Sequence, residues 1–257
     1  MRQSFIRSAV ALSLAAASSA AFAAPPGLLM TYSFDSLSGK VGQASETKAK
    51  SYTLGATLIG DDYRASVFIP YISLEGPGTV VSGTVSGSTG QRRTAKGLGD
   101  IVATYTQDVI GGIQTKGFAV SATGLIKIAS GDEQEGLGTG KTDFGIQTDL
   151  AYRLKNGVSF TTVLGRQFYG KTSTLPLMDG NYAIVGVGLP LTNSLFMNIT
   201  TSHRDELIAG TQKRKENALS AVYALDQTSA LQFGYTRGRT TASPDDVISF
   251  SYVSQVE

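Results

Sequence analysis

The chain has no cysteine and no tryptophan, one histidine, and 7 prolines in 257 residues. Without cysteine there is no disulfide framework and no thiolate metal site. With His203 as the sole imidazole, a transition-metal centre lacks its usual ligands. A net charge of +2 is close to balance and gives no basic footprint for nucleic acid. Nothing in the residues implies a cofactor. Beyond the N-terminal segment, no stretch is long and apolar enough to cross a bilayer as a helix. That excludes a helical membrane protein but not one that crosses with strands.

The N-terminal segment has its own logic. Arg2 and Arg7 make a positive start, Ala9 to Phe22 a small and mostly apolar middle, and Ala21-Phe22-Ala23 a small-x-small cleavage pattern. Residues 1–23 are therefore expected to be a signal peptide, and residues 24–257 one exported domain. A secreted chain of this length without disulfides needs a large core or a closed sheet. Its 30 glycines, with tyrosine and phenylalanine in strand-like runs, suit a barrel better than a helical domain.

Apolar residues recur with a period of two. Phe118, Val120, Ala122, Ile126 and Ile128 alternate with Ser121, Thr123 and Lys127. Phe144, Ile146, Leu150 and Tyr152 alternate with Gly145, Gln147, Asp149 and Arg153. That period means extended strands with one apolar and one polar face. Twelve such runs can be drawn, at about 28–37, 48–60, 62–74, 97–109, 115–129, 141–153, 157–169, 181–189, 194–203, 215–225, 229–238 and 246–254. The run 157–169 is poorly patterned, and 181–189 is apolar on both faces.

The connections are sorted by length. Short ones near 60–61, 110–112, 155–157, 190–193 and 226–227 alternate with longer polar ones at 38–47, 75–96, 130–140, 170–180, 204–214 and 239–245. An up-and-down membrane barrel does this, with tight periplasmic turns and long outer loops. The expected fold is all-β: a single antiparallel transmembrane barrel of about 12 strands. Loop 75–96 is open to two readings, an outward hairpin or an inward constriction. Pro70 interrupts a run and needs a strand rim or bulge.

Some motifs fail. Gly138-Thr-Gly-Lys141-Thr142 imitates a phosphate-binding loop, but Glu135 stands where the first glycine belongs, and a strand follows instead of a helix. Asp132, Glu133 and Glu135 match no calcium-loop spacing. His203 is the only candidate imidazole base. Ser202 beside it would point to the opposite face, leaving Ser194 or Ser220 from elsewhere as nucleophile candidates.

Gly97-Leu-Gly-Asp100, Leu125-Ile-Lys-Ile-Ala-Ser-Gly-Asp132 and Gly136-Leu-Gly-Thr-Gly-Lys-Thr-Asp143 carry a resemblance. This stretch resembles the outer-membrane proteins associated with the meta-pathway of phenol degradation, usually described as transporters. In that family a Gly-Leu-Gly-Asp opens a strand. A Lys-x-Pro-Thr-Gly-Asp-like turn and a Leu-Gly-Thr-Gly-x-Asp return follow. Ala129-Ser130 replace the usual Pro-Thr here. The resemblance is specific over about 97–153 and architectural elsewhere. It implies an outer-membrane barrel passing small hydrophobic or aromatic molecules, and it supplies no catalytic residues.

The expected function is thus a channel or transporter for small solutes in a bacterial outer membrane. A closed structural scaffold is the alternative, and a lipid hydrolase using His203 a second one. Asp100, Lys127, Asp143, Gln147 and Asp149 are the candidate lumen residues that meet solute. Arg92, Arg93, Lys96, Lys213, Arg214 and Lys215 are candidates for a basic rim facing lipopolysaccharide phosphates. The expected partners are outer-membrane lipid and lipopolysaccharide, a small solute, and the barrel-insertion machinery during biogenesis. That machinery commonly reads a terminal aromatic residue, whereas the last alternating run here ends at Tyr252, short of Glu257.

Overall fold

The computed structural model describes residues 26–41, 43–81, 84–112, 116–171 and 175–256, without the side chains of 84 and 86–93. The expected signal peptide lies outside these residues. The strands are β1 (Gly27–Gly39), β2 (Thr47–Ile59), β3 (Tyr63–Val81), β4 (Thr84–Leu98), β5 (Ile101–Ile110), β6 (Gly117–Ile128) and β7 (Asp143–Arg153). They continue as β8 (Ser159–Phe168), β9 (Gly180–Pro190), β10 (Leu195–Arg204), β11 (Arg214–Ala224), β12 (Ser229–Gly238) and β13 (Asp246–Val256). Each pairs antiparallel with its neighbours, β1 pairs with β13, and the circuit is complete.

Thirteen strands make twelve staves. β5 pairs with the lower half of β3, Tyr63–Phe68, and β4 pairs with the same strand from Tyr71 upward. The two are one stave, interrupted at Gly99-Asp100. Pro70 sits at that seam, where its missing N–H leaves no ladder bond unmade, and its carbonyl accepts from Gly99 N at 2.9 Å. The fold is a closed twelve-stranded antiparallel barrel, as expected. β13 runs on past Tyr252 to Val256, which pairs with Leu28.

The period of two decides the faces. On β7 the outward residues include Phe144, Ile146 and Tyr152, all exposed; Asp143 and Gly145 point inward and are buried. The outward surface carries aromatic rows in register. Phe118, Tyr152 and Phe160 pair across β6, β7 and β8 near the short-turn end. Phe233, Phe250, Phe34, Tyr52, Tyr71 and Leu98 form another row across β12, β13, β1, β2, β3 and β4. A wall of exposed aromatic and aliphatic side chains around a polar interior has the chemistry of a lipid-facing surface.

Segment 75–96, whose course the sequence left open, is a hairpin. β3 runs to Val81 and pairs back with β4 through Val81↔Thr84. The ladder slips between Gly76 and Thr79, and a bulge of this kind bends a strand. Gly76 has φ +125°, and a Cβ there would lie 2.7 Å from the Glu46 carbonyl oxygen. Only glycine fits that bend. Thr47 Oγ1 pins it by accepting from Gly78 N at 3.0 Å.

Inside the wall, aromatic rings lie flat against glycines. A Cβ on Gly165 would meet the Tyr182 ring at 2.2 Å, and one on Gly55 the Phe68 ring at 2.6 Å. The missing side chains make room for those rings on the inner face.

Candidate functional site

The upper lumen is built around Lys127. It points inward from β6 and is fully buried, with Nζ 2.9 Å from Asp100 Oδ2 and 2.9 Å from Asp143 Oδ2. Thr139 Oγ1 lies 2.5 Å from the same nitrogen. An ammonium out of water is tolerable only with partners of this kind. The carboxylates in turn hold backbone. Asp100 accepts from Gly131 N at 3.0 Å, and Asp143 from Gly170 N at 2.9 Å. Gly138 packs on Asp100, where a Cβ would sit 2.3 Å from Oδ1. Ser130 Oγ donates to the Gly99 carbonyl at 2.8 Å and accepts from Ile101 N at 2.9 Å, closing the seam in the broken stave. The glycine and acid positions of the motif around 97–143 thus fold loop 129–142 down onto one buried cation.

Below this lies a polar waist. Arg64 on β3 reaches Asp108 at 3.1 Å, and Ser121 donates to the same carboxylate at 2.7 Å. Gln147 donates to Asp149 at 3.0 Å, and the Tyr182 hydroxyl donates to Gln147 Oε1 at 2.7 Å. On the far wall Arg214 pairs with Glu216 at 2.6 Å, and the Arg204 guanidinium stands 4.8 Å above the Tyr182 ring.

Apolar clusters lie inside the barrel near both ends. Near the short turns, Leu29, Ile59, Val222, Ala230 and Val253 pack together from five neighbouring strands. At the mouth, Val80 and Val85 of the hairpin join Ile72, Leu74 and Leu137, with Val80 N donating to Gly136 O at 2.9 Å. The tip residue Val81 packs with Leu175, Leu177 and Leu207, which come from the β8–β9 and β10–β11 loops on the opposite side. Those loops are pinned. Met178 N donates to Leu207 O at 2.8 Å. Asp205 accepts from Asn181 N at 3.0 Å and pairs with Lys213 at 3.1 Å; these contacts, the backbone one first, hold its carboxyl below the ordinary range. Asp179 is likewise lowered, by Tyr169 N and then Lys171.

Similarity to solved structures points the same way. Among the structures it matches are an outer-membrane channel from Pseudomonas putida F1 (12% identity, TM-score 0.71, 91% of this chain and 97% of that one), the KdgM porin in complex with disordered oligogalacturonate (5%, 0.56, 89% and 99%) and the CymD monoaromatic hydrocarbon channel (8%, 0.50, 90% and 89%). The fold is that of outer-membrane channels and porins. At such identities the likeness is one of fold. No protein-family model matches the chain, and no curated protein does.

The expected lumen residues fall into two groups. Asp100, Lys127 and Asp143 come together, but buried against one another and loop 129–142. Gln147 and Asp149 belong to the waist. Arg64 and Tyr182 join them without any motif or spacing that marks them in the sequence. The basic rim is reshaped. Lys96 and Lys215 are exposed on the outer surface, and Lys213 is occupied by Asp205. Arg214 leaves the rim: its position on β11 points inward, where it is buried with Glu216. The side chains of Arg92 and Arg93 lie outside the described residues. His203 faces outward and is exposed, while Ser202 is buried inward against Glu216 at 3.5 Å. Ser220 also points inward, and Ser194 lies at the other end of β10, so His203 has no serine on its own face from this set. Asp132 spends its carboxylate on Gln134 N and Glu135 N, at 2.8 and 3.1 Å. Among the described residues no cluster of acidic or imidazole groups could hold a metal ion.

Proposed function

We propose that the chain is a narrow outer-membrane channel for small hydrophobic or aromatic solutes. The mouth carries this reading. Val81, Leu175, Leu177 and Leu207 meet across it, so a solute approaching the bore encounters aliphatic surface. The resemblance of 97–153 to barrels linked with phenol degradation supports the same solute class, as does a fold shared with a monoaromatic hydrocarbon channel. The polar waist of Arg64, Asp108, Gln147 and Asp149 then offers hydrogen bonds to a hydroxylated ring.

The pairing of the interior charges favours a second reading, a closed scaffold. Lys127 is matched by two carboxylates, and Arg64 and Arg214 have acidic partners. Planar-bilayer recording separates the two. The channel reading expects discrete conductance steps that a phenol or toluene added to the bath partly blocks. Protein that stays silent, and that also fails to speed entry of aromatic solutes into proteoliposomes, would leave the scaffold.

A further inference from the structure

We infer that the outer surface of β1–β4 carries a binding site for the phosphorylated headgroup of lipopolysaccharide, centred on Lys50 and Lys96. The inference rests on the outer-membrane reading, because it needs the long-loop end of the barrel to meet the outer leaflet.

The site follows from register. Phe34, Tyr52, Tyr71 and Leu98 form an outward row across four strands; Tyr52 is 55% and Tyr71 47% exposed. Two residues further toward the long loops, the next outward row reads Ser36, Lys50, Ser73, Lys96, paired one to the next. Polar, cationic and hydroxyl groups therefore replace aromatic ones within a single step along the strands, about 7 Å. That step is where acyl chains give way to headgroups.

Lys50 and Lys96 are both exposed, and among the described residues neither forms an ion pair. They flank Ser73 from either side, their backbones about 10 Å apart across two ladder spacings. Four-carbon stems from that separation can converge on one phosphate or each hold one of a pair, and the hydroxyls of Ser36 and Ser73 add neutral donors. Lys48, one row higher, stands 3.7 Å from Glu46 and is already partly neutralised. Glu75 stands in that higher row as well, opposite Lys48, so among the described residues the row directly above the aromatic one is the cationic one. The acyl chains of the same lipid would lie along Tyr52 and Tyr71. A free anion gains nothing from those rings, which favours the lipid as the occupant.

Native mass spectrometry of the folded chain in detergent tests this, with lipid A carrying both phosphates as the probe. The double variant Lys50→Gln, Lys96→Gln should retain about thirtyfold less lipid, from two lysines at an anionic lipid surface. Lys116→Gln with Lys155→Gln, both exposed at the short-turn end, should retain it as the wild type does. Excess inorganic phosphate should not displace it, and lipid A stripped of phosphate should bind no better to the wild type than to the variant. Equal retention by the Lys50/Lys96 variant, equal loss in the Lys116/Lys155 variant, or displacement by free phosphate overturns the site. Gel mobility with and without boiling is read on every sample. A wild type that migrates identically under both conditions overturns the barrel reading, and the site falls with it. Variants that stay heat-modifiable yet keep their lipid overturn the site alone.

Discussion

Lys127 Nζ lies 2.9 Å from Asp143 Oδ2, and neither side chain is exposed. The two residues face each other in register on β6 and β7, with loop 129–142 running between them and folding back over the pair. The contact therefore serves the wall and the loop at once.

Replacing Lys127 by Met leaves two buried carboxylates facing each other without their cation. Losing one partner of a buried pair costs about 3–5 kcal/mol. The variant should unfold at markedly lower urea, followed by the gel shift between folded and unfolded forms. Adding Asp100→Asn and Asp143→Asn should restore much of the loss by removing the stranded charge. A Lys127→Met barrel as resistant as the wild type would show that the ion pairs contribute little.

The tip of the hairpin should limit flux. A carboxylate introduced by Val81→Asp cannot stay within Leu175, Leu177 and Leu207 without a large desolvation cost. The tip and the two loops should part, and single-channel conductance should rise severalfold. Leu207→Asp should act in the same direction from the opposite wall. Conductance unchanged in both variants would place the constriction elsewhere, the cluster of Leu29, Ile59 and Val253 being the next to substitute.

Asp226 governs a short turn at the other end. Ser229 Oγ donates to it at 2.7 Å, Thr228 N at 2.7 Å and Thr228 Oγ1 at 2.9 Å, and these bonds bring its pKa down to about 2, the serine hydroxyl contributing most. A depressed acid stabilises the fold above its unfolded pKa, and that contribution is lost as pH falls through the folded value. The stability gap between wild type and Asp226→Ala should be full above about pH 4, the ordinary carboxylate value, and shrink toward pH 2. Unfolding midpoints measured across that range check it, and a gap that does not change with pH would remove Asp226 from the account.

Much of the barrel is legible in the sequence, because a strand between lipid and a polar bore writes its two solvents into alternate residues. β7 shows it plainly. β8 and β9 do not, for a packing reason. Val163, Tyr182 and Ile184 point inward and form their own cluster, and Gly186 and Gly188 take inward positions that a polar residue would otherwise mark. Apolar side chains on both faces erase the alternation. The grouping of Asp100, Lys127 and Asp143 was visible because a motif and a loop bracketed them. Arg64 and Tyr182 are far in sequence from Asp108 and Gln147, and only the pairing of β3 with β5 and of β7, β8 and β9 brings them to those partners. Arg214 was misplaced because it adjoins two lysines in sequence, and one step along a strand turns a side chain to the other face.

The seam between β4 and β5 has a consequence for how such a protein can vary. Among the described residues β4 has its ladder partner in β3, while the β5–β6 ladder begins below it at Ile101. The hairpin is therefore a separable module on a fixed frame. Its length and tip chemistry can drift, or be exchanged, while the staves keep their count and tilt, so that one barrel can be refitted for different molecules by rewriting a single excursion of the chain.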